Sequence, residues 1–149
     1  MTGEDGMKGG NAINKYISQT VTLADGQDAE DVKVYLTAYR PPGTDVRVYF
    51  KAKHADDPDS FDDKYWIPLN KEENGGSTYS SLSNRLDFKE YSYTFSNEDK
   101  TGPLTEFQYV SGGITYTGFK YFAVKIVLTA TNAAIVPRVA DLRVMAMQI

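Results

Sequence analysis

Val32-Lys-Val-Tyr-Leu-Thr-Ala-Tyr-Arg-Pro-Pro-Gly-Thr-Asp-Val-Arg-Val-Tyr-Phe-Lys-Ala-Lys53 decides the fold class. Val32, Val34, Leu36 and Ala38 alternate with Lys33, Tyr35, Thr37 and Tyr39, and Val46, Val48, Phe50 and Ala52 alternate with Arg47, Tyr49, Lys51 and Lys53. A period of two places alternate side chains on opposite faces of a strand. Between the two runs, Pro41-Pro42-Gly43 is a strong turn signal, because proline presets φ and glycine takes the φ > 0 position of a type II turn. Two strands of matched length and phase around such a turn predict a hairpin, apolar on one face and bearing tyrosines and cations on the other.

Outward from this pair, alternation recurs. Downstream, Tyr65-Trp66-Ile67-Pro68-Leu69 reads as a short edge strand, since Pro68 cannot donate to a ladder. Leu86 and Phe88 share one parity, then Tyr91, Tyr93 and Phe95 the other, which predicts a bulge or a change of sheet near Glu90. Phe107 to Val110 and Ile114 to Tyr116 flank Gly112-Gly113. Tyr121 to Ala130 is apolar on one face and mixed on the other, as the centre of a sheet requires, and Val139 to Ile149 closes the chain. Upstream, Ile13, Ile17, Val21 and Leu23 share a parity and predict one long first strand. Residues 1–12 are Gly-rich and polar and read as an arm that orders against a partner, leaving 13–149 as a single domain. Strands without a convincing helical period predict an all-β fold, an antiparallel β-sandwich of jelly-roll or galactose-binding-like arrangement with little helix.

Composition narrows the function. The 149 residues contain no Cys and one His, His54. Thiol catalysis, Cys-bearing zinc sites and multi-His metal sites within one chain are therefore excluded. His54 is the single candidate for an imidazole base, and no Gly-x-Ser-x-Gly elbow accompanies it. The expectation is that the chain is not an enzyme. A net charge of −4 gives no footprint for nucleic acid, and no run approaches the roughly 18 apolar residues of a spanning helix.

Two clusters have binding character. Five carboxylates in Asp56-Asp57-Pro58-Asp59-Ser60-Phe61-Asp62-Asp63 offer the hard oxygens that calcium takes, with Asp57, Asp59, Asp62 and Asp63 as the candidate ligands. The spacing fails the EF-hand pattern, and a solvated turn with Asp caps is the competing reading. Tyr35, Tyr39, Tyr49 and Trp66, with Arg47 and Lys51, are the candidate interface residues, and Tyr79 is a further ring expected outside the core. Rigid aromatic side chains suit protein contacts and also stack on sugars.

The run from Val21 to Lys51, followed by Asp57-Pro-Asp-Ser-Phe-Asp-Asp-Lys64, resembles a module of virion structural proteins in contractile-tailed bacteriophages, including those infecting cyanobacteria. Phe119-Lys-Tyr-Phe-Ala-Val-Lys-Ile-Val-Leu128 and Ile135-Val-Pro-Arg-Val-Ala-Asp-Leu-Arg-Val144 are similar to its closing strands. The resemblance implies a non-enzymatic β-sandwich in the tail, baseplate or neck of a virion, assembled in the host bacterial cytoplasm. Its partners would be other virion subunits or further copies of the same chain, and no catalytic residues carry over. The alternative is a carbohydrate-binding, receptor-binding module of a tail fibre or tip, in which the rings and the Asp loop hold a glycan.

Overall fold

The computed structural model of the chain describes residues 11–71, 79–96, 99–100, 106–130 and 137–148. Their strands are β1 (Asn11–Ile17), β2 (Val21–Thr22), β3 (Asp31–Tyr39), β4 (Thr44–Lys53), β5 (Ile67–Pro68), β6 (Asn70–Lys71), β7 (Lys89–Thr94), β8 (Gln108–Ser111), β9 (Ile114–Thr117), β10 (Tyr121–Ala130) and β11 (Arg138–Met147). One 3-10 turn, Phe61–Asp63, is capped by the Ser60 side chain. The first sheet has the order β1-β10-β4-β5 with β2 also on β10, the second β11-β3-β7-β6, and β8 and β9 form a separate hairpin. All pairings are antiparallel. The chain is an all-β sandwich.

The predicted β3–β4 hairpin is not formed. β3 lies in the second sheet between β11 and β7, whereas β4 lies in the first beside β10. The Pro41–Gly43 turn is therefore an arch that carries the chain across the core. Gly43 takes φ 89°, and the amide and hydroxyl of Thr44 both donate to the Pro41 carbonyl, at 3.1 and 2.7 Å. The two apolar faces consequently meet across the interior instead of lying side by side. Val32, Val34 and Leu36 from one sheet and Val46, Val48 and Phe50 from the other belong to one core cluster. Phe50 has no exposed surface, and its ring centroid lies 5.2 Å from those of Phe95 and Phe119 and 5.5 Å from that of Phe122. Such edge and stacked contacts add to the area that four rings remove from water.

Other expectations fare differently. β10 is the central strand of the first sheet and buried on both faces, as its composition predicts, and β5 is the expected edge strand. Gly112 and Gly113, at φ 59° and 80°, make the two-residue turn of the β8–β9 hairpin. The long first strand is instead broken: the Ser18 hydroxyl accepts from the Val124 amide at 2.9 Å, separating β1 from β2. Ile17 and Val21 are consequently exposed at the sheet margin. No bulge or change of sheet occurs near Glu90, because Leu86 to Phe88 belongs to turns closed by Asp87 N to Asn84 O and Phe88 N to Leu86 O, and β7 starts only at Lys89. Asn11 and Ala12, assigned to the arm, pair with β10, while residues 1–10 lie outside the described residues.

Candidate functional site

The outward face of the first sheet gathers four of the six expected interface residues. Arg47, Tyr49 and Lys51 project from β4 on the side opposite the core, and β10 sets Val127, Lys125 and Ala123 directly beside them. The chain segment before β5 brings Trp66 over this surface. Lys125 Nζ lies 4.8 Å from the Tyr49 ring centre and 5.0 Å from that of Trp66, and Lys51 Nζ lies 4.9 Å from Trp66 and 5.2 Å from Phe61. Lys53 continues the series at 4.8 Å from Tyr121. Cations and rings thus alternate across the face, each ammonium resting on the negative face of an aromatic quadrupole. Lys125 is only 2% exposed, while its aliphatic stem packs on the sheet.

The other two members of the expected set are elsewhere. Tyr35 is on the outward face of the second sheet, beneath the Arg143 guanidinium at 5.5 Å, on the opposite side of the molecule. Tyr39 is buried at 6% exposure under Phe88 and Arg138, and its hydroxyl donates to the Ser81 carbonyl at 3.2 Å. The arch causes this separation, since it sends the polar faces of β3 and β4 to opposite sides. Tyr79, half exposed, stacks on the buried Arg40 at 4.3 Å. Lys125, Lys53, Phe61 and Tyr121 escaped the sequence reading. Lys125 had a signal, as the one charge inside the apolar run from Phe122 to Leu128.

The acidic loop is organised around a lysine. Lys64 Nζ lies 2.5 Å from Asp57 Oδ2 and 3.1 Å from Asp59 Oδ2, with both Asp57 and Lys64 largely withdrawn from solvent. Asp57 Oδ1 accepts from the Asp59 amide at 3.0 Å, and Ser111 Oγ donates to Asp59 Oδ2 at 2.9 Å. Burial alone would raise the Asp57 carboxyl, but hydrogen bonds from Lys64, the Asp59 amide and Tyr109 overcome it and hold the group down at about 2. Burial, then the neighbouring Asp57 carboxylate, pushes the Tyr109 phenol up, and Lys64 stays protonated because its two carboxylates outweigh its own burial.

The calcium set is accordingly not assembled. The ammonium of Lys64 occupies the position between Asp57 and Asp59 that a metal would need, and Asp62 and Asp63 stand exposed on the 3-10 turn. Among the described residues, no group of three His, Asp or Glu side chains gathers as a cation site. His54 Nδ1 accepts from the Asp56 amide at 3.0 Å and the ring packs on Tyr116, so the imidazole is engaged in shaping the loop.

Among the described residues, two of the cavities open at the sides of the sandwich. The larger, about 710 Å³, lies between the edge strands β1 and β11, and the smaller, about 410 Å³, lies beside β4 and β5. Compared with protein families, with curated proteins and with solved structures, the chain matches none.

Proposed function

We propose that the chain is a non-enzymatic structural component of a tailed-phage particle, in its tail, baseplate or neck, and that it works through protein contacts on the outward face of the first sheet. The observation that carries this reading is the half-exposed array of Tyr49, Lys51, Lys53, Trp66 and Tyr121 on a rigid sheet. Aromatic rings held in place by neighbouring cations lose little side-chain entropy on contact, which suits a surface that must meet a neighbour in one orientation. The resemblance of Val21 to Lys51 and of Phe119 to Leu128 to virion modules supplies the phage setting.

Cross-linking mass spectrometry on purified particles tests it: links from Lys51 and Lys53 to other virion proteins are expected, and absence of the chain from particles overturns it. A glycan array with and without calcium addresses the carbohydrate-binding alternative. A glycan signal that disappears in Trp66→Ala, with the circular dichroism unchanged, would replace the structural reading with that one.

A further inference from the structure

Sheet edges differ in how completely their backbone groups are used, and among the described residues β11 is the open one. Along β4 beyond β5, the Val46 carbonyl accepts from Tyr93 Oη at 3.1 Å, and the Val48 carbonyl accepts from the Leu69 amide at 2.9 Å. β6 is two residues long, and β1 ends where Ser18 ties back to β10. β11 is ten residues long, has a register shift between Val139 and Asp141, and among the described residues pairs on one side only, with β3. Long unprotected edges are templates for another strand.

We infer that β11 pairs with β11 of a second copy, antiparallel about a two-fold axis through Leu142. The Leu142 amide donates to Asp141 Oδ1 at 2.9 Å, away from β3, so its N–H lies on the free edge. Residues two apart share a side of the strand, which places the amides of Val144 and Ala146 on that edge also. With Leu142 opposite Leu142 of the second copy, Asp141 faces Arg143 of the second copy, and Arg143 faces Asp141 of the second copy. Charges that normally blunt an edge are here self-complementary under two-fold symmetry, as an isologous contact requires. Asp141 and Arg143 are exposed; Arg143 also reaches Glu90 Oε2 at 3.0 Å, so the opposing Asp141 joins that ion pair, and it releases the Leu142 amide as it turns to the guanidinium. The groove between β1 and β11, lined by Tyr16, Ile126, Leu128, Val139 and Leu142, opens on the same side and is covered by the second copy.

Sedimentation equilibrium over a concentration series tests the pairing. A dimer is expected for the native chain, and a monomer for Val144→Pro with unchanged circular dichroism, because proline removes an outward amide that β3 does not use. Should that variant fail to fold, the charges decide. Asp141→Arg and Arg143→Asp each set like charges opposite one another twice, weakening association by about ten-fold, and the double variant restores it. A native chain that stays monomeric, or a dimer insensitive to these charges, overturns the inference. Neither result touches the outward face of the first sheet, whose contacts depend on Trp66 and not on β11.

Discussion

Tyr109 Oη donates to Asp57 Oδ2 at 2.7 Å and accepts from the His54 amide at 2.7 Å, tying the acidic loop to a hairpin 52 residues further along the chain. Lys64 completes the junction from the other side, its ammonium 5.3 Å from the Tyr109 ring centre. A buried carboxylate is tolerated because every oxygen is engaged, and removing a single partner strands it.

Lys64→Met should therefore be costly. It leaves Asp57 buried without its counter-ion, and a loss of about 3 kcal/mol is expected, lowering the melting temperature by roughly 10 °C for a domain of this size. Tyr109→Phe removes one hydrogen bond and should cost about 1 to 2 kcal/mol. Thermal denaturation of both, and of the double variant, reads the coupling.

The same junction makes the fold acid-sensitive. Asp57 is held at about 2, below its usual value of 3.8, so the native state favours the carboxylate. That contribution, about 2 kcal/mol, is complete above pH 4 and is lost as pH falls from 4 towards 2. Urea midpoints measured across this window should fall in the native chain and fall less in Asp57→Asn, which starts less stable.

Gly118 is a packing requirement. It takes φ 81°, and a Cβ there would stand 2.8 Å from the carbonyl oxygen of Ala29, which accepts the Phe119 amide. Gly118→Ala is expected to cost about 2 kcal/mol or more through both backbone strain and displacement of that bond. Gly26, with open space around it, should cost only the strain, about 1 kcal/mol.

On the outward face, Lys125 separates charge from shape. Lys125→Met keeps the stem against Tyr49 and Trp66 and should change stability by less than about 1.5 kcal/mol. Lys125→Glu places a carboxylate over the negative faces of both rings and should cost more than about 2 kcal/mol. Equilibrium unfolding of the pair, with tryptophan fluorescence at Trp66 as the local probe, checks both.

Much of the architecture was legible residue by residue. Alternation from Val32 to Ala52 separates the buried from the outward side chains of β3 and β4, except that Tyr39 is covered by Phe88 and Arg138, and the apolar run from Phe122 to Leu128 marks the central strand. Leu86 and Phe88 misled because two apolar residues in alternation also fit a pair of turns. Alternation puts Arg47, Tyr49 and Lys51 on one face, but Trp66 joins them only through the fold, and Tyr35 and Tyr39 share that face only in a hairpin.

What the sequence by itself determined is the all-β character, the two faces of β3 and of β4, and the turn at Pro41–Gly43, because these follow from side-chain period and local φ preferences. The tertiary structure alone decided which sheet each strand joined and which cation met which carboxylate. An arch and a hairpin share one alternation pattern. Only the pairing of β4 with β10, and of β3 with β11 and β7, distinguishes them, and those partners lie far along the chain. For the same reason five carboxylates in eight residues fit both a metal loop and an Asp-capped turn, and only the reach of Lys64 and Tyr109 to Asp57 tells them apart.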